Sequence, residues 1–180
     1  MLTMKLAELC RACGGSLCGD GEIEITDITT DSRTAKRGSL FAALAGERTD
    51  GHKYINTAFE KGASAALCEK QPDENGAASY ILVGSTLKAL QDIAAYILKK
   101  TDIPTVEIGG SVGKTSTKEA VASVLEQKYS VLKTDGNFNN DLGVPLTVFG
   151  IKEENNAAVI ETGIDDFGQM ELLSSIVRPY

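Results

Sequence analysis

Residues 109–118 read Gly109-Gly110-Ser111-Val112-Gly113-Lys114-Thr115-Ser116-Thr117-Lys118, directly after the stretch Thr105-Val106-Glu107-Ile108. Paired glycines, a lysine and clustered hydroxyls in that order suit a phosphate cradle. The backbone N–H groups of a Gly-rich loop, with those of a helix N-terminus, face an anion. Gly110, Ser111, Val112, Gly113, Lys114, Thr115 and Ser116 are the residues expected to line it. Lys114 would reach the β- and γ-phosphates, and the Thr115 hydroxyl would ligate Mg²⁺. The strict spacing of such loops wants a glycine five places before Gly113, where Ile108 stands. Gly109 and Gly110 supply the flexibility one and two residues later. An ordinary strand-to-helix turn would share the glycines but has no use for Gly-Lys-Thr, so nucleotide binding is the stronger reading.

The cradle needs a strand before it and a helix after it. Residues 105–108 suit a buried strand. From Lys118 to Gln127 the apolar residues Ala120, Val121, Val124 and Leu125 recur at helical spacing. Further on, the pattern predicts a strand at 130–133, a helix at 145–150, a strand at 157–161 and a helix at 168–177. That alternation belongs to a parallel α/β sheet. Only three strands of such a sheet are present. Parallel sheets are normally covered and their edges managed, so the chain is expected to be part of a longer polypeptide.

Before the cradle, residues 4–13 read as a short amphipathic helix stopped by Gly14-Gly15. Strands are expected at 22–28, 39–44, 65–68 and 80–83, and helices at 52–61 and 85–100. The basic last turn of the longer helix, Lys99-Lys100, complements its dipole. The fold class is therefore α/β: a small mixed α/β N-terminal domain over residues 1–84, then a partial P-loop parallel-sheet domain over 85–180.

The net charge of −7 over 180 residues argues against general nucleic-acid binding. No apolar run approaches membrane-spanning length. Glu8 and Arg11 interrupt any signal-peptide core, which makes a cytoplasmic location the default. Cys10 and Cys13 have Cys-x-x-Cys spacing, which invites a metal or redox role. They share a predicted helix face with Leu6 and Leu9, however, and no second such pair follows, so a core role is preferred.

Several stretches together resemble the Mur ligase family of bacterial cell-wall synthesis. They are Thr30-Asp31-Ser32-Arg33 with Gly38-Ser39-Leu40-Phe41-Ala42-Ala43-Leu44-Ala45-Gly46-Glu47 and Asp50-Gly51-His52; the P-loop; Gly136-Asn137-Phe138-Asn139-Asn140-Asp141-Leu142-Gly143-Val144-Pro145; and Val159-Ile160-Glu161-Thr162-Gly163. The Asn-rich stretch, with Lys118-Glu119, is similar to the family member that adds D-Ala-D-Ala to UDP-N-acetylmuramoyl-tripeptide. The sibling that adds the third amino acid shares the first stretch and usually lacks the Asn-rich one.

The resemblance implies an ATP-dependent amide ligase working through an acyl phosphate, with ATP and Mg²⁺ as cofactors and a monomeric full-length enzyme. Lys114 and Glu161 would be catalytic, and Thr115 and Glu161 would hold the metal. Ser32 and Arg33 lead the candidates for the uridine diphosphate contact, because a hydroxyl and a guanidinium suit a pyrophosphate. Arg48, Thr49 and Asp50 follow. Asn137, Asn139 and Asn140 would meet phosphate or carboxylate oxygens, although turn chemistry also favours Asn. An Asp31–Arg33 surface ion pair is the plainer reading of Arg33. His52, the only histidine, is expected to begin a helix and not to catalyse. The family's modified lysine, its other metal-binding residues, its adenine pocket and its dipeptide domain would lie beyond Tyr180.

Two departures from the family pattern stand out. Glu107 falls where the family generally has Gly, and Gly109 where it often has Thr. A buried unpaired Glu would be unfavourable. Two other classes stay open: a small P-loop kinase, and a non-catalytic nucleotide-binding module.

Overall fold

A computed structural model describes residues 1–46, 49–72, 78–164 and 167–180. Two compact units emerge, Met1–Ile93 and Ala94–Tyr180.

The first unit is built on a five-stranded sheet in the order β2-β7-β6-β5-β4, with β2 Ser16–Cys18, β4 Asp27–Thr29, β5 Ser39–Ala42, β6 Ala65–Cys68 and β7 Tyr80–Leu82. The four strands from β4 to β7 run parallel, and β2 joins β7 antiparallel. Every residue of β5 and β6 is buried. Continuous apolar runs of this kind mark inner strands covered on both faces. Phe41, Ile55, Ala58 and Ala66 meet in one cluster, which seats α2 Ile55–Glu60. β2 escapes the sequence pattern because all three of its residues are exposed, so it carries no apolar alternation.

Local differences from the sequence expectation have simple causes. The strand expected over 22–28 is split into β3 Glu24–Ile25 and β4. The N–H groups of Thr26 and Asp27 both donate to the Gly38 carbonyl, at 2.9 and 3.2 Å. β3 then pairs with β1 Met4–Lys5, which delays α1 to Leu6–Cys13. Gly14, at φ 64°, ends α1 in the left-handed conformation that glycine adopts without strain. The helix expected over 52–61 begins as a 3₁₀ turn, Gly51–Tyr54. Asp50 caps that turn by accepting from the His52 N–H at 3.0 Å.

The second unit holds a three-stranded parallel sheet in the order β8-β10-β9, with β8 Thr105–Ile108, β9 Val131–Lys133 and β10 Ala157–Glu161. β10 is central and wholly buried. α4 Lys114–Leu125 packs on the strands, and α5 Gly143–Phe149 and α6 Gln169–Val177 complete the unit. α3 Thr86–Thr101 runs through the division between the units. The face of α4 that is buried carries Lys118 and Ala122, whereas Val124 is 73% exposed. Ala122 and Lys118 lie on the side that continues from Thr115, which the phosphate loop turns toward the sheet.

Candidate functional site

The loop between β8 and α4 carries positive φ at Gly110 (141°) and Gly113 (77°). L-residues with a Cβ rarely take such values, so these two glycines are what lets the chain curl and then enter the helix. Gly113 is the residue before α4, and the first-turn N–H groups of that helix have no partner within the helix. With the helix dipole they leave this end of α4 electropositive, as the motif anticipates. Ser111, Val112, Gly113, Lys114, Thr115 and Ser116 line a cavity of about 510 Å³ together with Asn137, Asn139 and Glu161. Gly110, expected in the lining, is not part of it; its carbonyl accepts from Lys114 Nζ at 2.9 Å.

Glu161 ends the central strand and is 2% exposed. Thr115 Oγ1 donates to its Oε2 at 3.1 Å, and Asn139 Nδ2 to its Oε1 at 2.9 Å. Two donors thus hold one carboxylate at the C-terminal edge of the sheet, where open α/β sheets place ligands. A hydroxyl and a carboxylate oxygen side by side are hard oxygen donors of the kind Mg²⁺ prefers. Both residues fit the metal role expected of them.

The three asparagines have separate situations. Asn139 fastens Glu161 and is itself fixed, since its carbonyl accepts from the Gly163 N–H at 2.7 Å. Asn140 Oδ1 accepts from the Gly143 N–H at 2.7 Å, which ties the loop to the start of α5. Asn137 is exposed and lines the cavity. Turn chemistry accounts for Asn140, whereas Asn137 and Asn139 both line the cradle.

Sequence reasoning overlooked Lys118 as a site element. It is 2% exposed, and its Nζ donates to the Thr134 carbonyl at 2.7 Å and pairs with Glu119 at 3.1 Å. Thr134 was also overlooked; its Oγ1 accepts the Glu161 N–H at 2.9 Å. The available signal was the position of Lys118, three residues after Thr115 and so on the same helix face.

The departures at the loop's entrance have local explanations. Glu107 is half-buried and accepts from Ser174 Oγ on α6 through both carboxylate oxygens, at 3.0 and 2.9 Å. Its charge is therefore not left unpartnered. A Cβ at Gly109 would come within 2.8 Å of Met170 Cε, so glycine lets α6 pack close.

In the first unit a separate cavity of about 710 Å³ is lined by Thr30, Asp31, Ser32, Arg33, Phe41, Leu44, Gly46, Thr49, Gly51, Tyr54 and Thr57. Ser32 is 8% exposed within it. The Arg33 guanidinium grips Asp31 through Nε and Nη2, the closest contact being 2.7 Å. This side-chain bond, helped by the Arg33 N–H, lowers the Asp31 pKa from 3.8 to about 2. The side chain of Arg33 is 85% exposed, so the pair adds little to stability. Thr49 Oγ1 lies 3.3 Å from Tyr54 Oη. Asp50 is engaged elsewhere, by the His52 N–H, by His52 Nδ1 at 2.5 Å and by Lys70 at 3.3 Å. His52 Nε2 accepts the Glu69 N–H at 2.9 Å, so the ring's proton sits on Nδ1 and both nitrogens are used in architecture. Arg48 lies outside the described residues. Tyr54 and Thr57, within the span 52–61, complete the wall.

Cys10 is buried with Leu6 and Leu9, and Cys13 is half-buried. Burial raises the pKa of both thiols. Among the described residues no helix is long and apolar enough to cross a membrane.

Comparison with known proteins places these two units. A family model described as the Mur ligase middle domain matches residues 108–180, and one described as the Mur ligase family catalytic domain matches residues 24–100. The chain is 42% identical over 158 residues to the UDP-N-acetylmuramoyl-tripeptide–D-alanyl-D-alanine ligase of Bacillus subtilis, covering 86% of this chain and 34% of that protein. It superposes on a MurF crystal structure from Acinetobacter baumannii with a TM-score of 0.93 and 34% identity, covering 99% of this chain and 40% of that one. The MurF ligase of Thermotoga maritima in complex with ADP gives a TM-score of 0.78 at 31% identity, covering 85% of this chain and 35% of that one. The chain thus spans 40% or less of the length of these relatives. Its two units answer to two models of one family, and the chain belongs to the Mur ligase family.

Proposed function

We propose that this chain supplies the uridine-substrate unit and the ATP-phosphate unit of a ligase that joins D-Ala-D-Ala to UDP-N-acetylmuramoyl-tripeptide. The observation that carries the reading is the Thr115–Glu161–Asn139 cluster beside the phosphate loop, in a chain 42% identical to a protein of that name. In the proposed reaction a peptide carboxylate oxygen attacks the γ-phosphorus of ATP, and ADP leaves. The dipeptide amine then attacks the acyl phosphate. It loses a proton, phosphate departs, and an amide forms.

Both steps bring anions together, which calls for fixed donors and cations. Lys114 and the first-turn N–H groups of α4 would hold the phosphates. Thr115 and Glu161 would hold Mg²⁺, which when bound neutralises charge on the transferring group. Asn137 stands at the cradle's rim to meet an oxygen of either substrate. In the first unit Ser32, Arg33 and Thr49 would contact the uridine diphosphate portion. UDP-linked precursors and ATP put this reaction in the cytoplasm. The full-length ligase would act as a monomer.

Calorimetric titration tests the reading. UDP-N-acetylmuramoyl-tripeptide should bind, and binding should weaken in Ser32→Ala. Mg-ATP should bind and be lost in Lys114→Ala. Absence of uridine binding, with Mg-ATP binding retained, would overturn the ligase reading in favour of a P-loop kinase or a regulatory nucleotide-binding module.

A further inference from the structure

Lys118 is the one lysine of α4's buried face, and neither phosphate binding nor catalysis has been assigned to it. An ammonium kept from water is tolerated only with close acceptors. Here the acceptors are the Thr134 carbonyl at 2.7 Å and the Glu119 carboxylate at 3.1 Å. Glu119 is in turn shared with Lys133 at 2.8 Å.

Thr134 occupies a junction. The β9–β10 ladder closes at Lys133 opposite Val159. Immediately beyond, three bonds hold Thr134. Its N–H donates to Val159 O at 3.1 Å, its Oγ1 accepts the Glu161 N–H at 2.9 Å, and its carbonyl accepts from Lys118. From there the chain runs through Asn137 to Asn139, where the bonds to Gly163 and Glu161 pin it again. Between these anchors the backbone bonds are local to the loop, Phe138 N–H to Asp135 O and Asn139 N–H to Asn137 O. Thr115 and Lys118, three residues apart on α4, therefore grip the two ends of one network. Thr115 holds the Glu161 side chain, and Lys118 holds the residue that receives the Glu161 backbone.

We propose that Lys118 is a positioning residue of the nucleotide-and-metal site: its buried ammonium clamps Thr134 to α4 and thereby sets the loop that carries Asn137 and brings Asn139 to Glu161. This rests on the reading of Thr115 and Glu161 as the Mg²⁺ pair. A lysine suits the task because its long stem spans from the helix to the strand end while its charge strengthens the bond to the carbonyl.

The test is ADP binding by the full chain, titrated with Mg²⁺ present and with Mg²⁺ removed by EDTA. Lys118→Met should weaken binding in Mg²⁺ by roughly 10-fold, as removal of a metal-site support does, with far less effect in EDTA. Lys118→Arg should recover most of the loss. In an Asn139→Ala background Lys118→Met should add little, because both act through one loop. Equal binding by wild type and Lys118→Met, the same loss with and without Mg²⁺, or full additivity with Asn139→Ala would each overturn the inference while leaving the nucleotide site standing. No Mg²⁺-dependent ADP binding by the wild type would overturn the site itself. If Lys118→Met fails to melt cooperatively, Lys118→Gln takes its place under the same criteria.

Discussion

Thr115 and Glu161 lie 46 positions apart in sequence, yet the hydroxyl of one donates to the carboxylate of the other at 3.1 Å. The contact ties the first turn of α4 to the end of β10. It also puts two hard oxygen donors side by side at the mouth of the phosphate loop. Thr115→Val should lower the Mg²⁺-dependent part of ADP affinity by roughly 10- to 100-fold. Folding stability should fall by about 1 kcal/mol, the usual worth of one hydrogen bond to a buried acceptor. Calorimetry with and without Mg²⁺, beside a melting curve, separates the two effects.

In the first unit, the ion pair at Arg33 makes a pH-dependent prediction. Asp31 is depressed to about 2, so its ionised form is favoured in the folded state. The stabilisation is fully present above the ordinary value of 3.8 and is lost as pH falls through about 2. Arg33→Ala should return the Asp31 titration, followed by NMR, toward 3.8. A midpoint still near 2 would show that the backbone N–H of residue 33 is sufficient on its own.

Gly143 shows how tightly the Asn-bearing loop is packed. A Cβ there would stand 2.5 Å from the carbonyl carbon of Phe138 and 2.6 Å from its Cα. Backbone atoms cannot swing aside as a side-chain tip can. Gly143→Ala should cost about 1–3 kcal/mol by denaturant unfolding, in the range of other overpacked sites. The same change should shift the NMR signals of Asn139.

The four thiols should differ in reactivity. Cys68 is fully buried in β6, and burial pushes its pKa up to about 11, whereas Cys18 is exposed on β2. Since the thiolate is the reactive form, a water-soluble alkylating reagent at neutral pH should modify Cys18 first. Cys68 should react only as the chain unfolds. Modification of Cys68 in the native state at a rate similar to Cys18 would contradict the burial described.

Much of this was legible before any coordinates. Gly-Lys-Thr after an apolar strand placed the cradle, and strand-helix alternation put Glu161 at the end of a strand. What stayed hidden is instructive. Ala120, Val121, Val124 and Leu125 recur at helical spacing, but the fully buried positions of α4 are Lys118 and Ala122. Hydrophobicity ranks a lysine as exposed, and its burial is made tolerable by the Thr134 carbonyl, just beyond β9, together with the Glu119 carboxylate. The exposed β2 and the two-residue strands β1 and β3 carried no pattern to detect. The roles of Asn139 and Asn140 also needed coordinates, since identical side chains point to different partners. Ser32 lines its cavity, whereas Asp50 is held by His52 and Lys70.

The strand order β8-β10-β9 also bears on how the second unit assembles. Thr105 pairs with Ala158, so the phosphate-loop strand finds its neighbour only after closing a loop of roughly fifty residues, an entropic cost incurred before any ladder bond is returned. No hairpin within this sheet can form first and serve as a template. Such topologies fold slowly. During synthesis β8 and β9 therefore cannot pair with β10 until it leaves the ribosome, and its arrival between them brings Glu161 to Thr115.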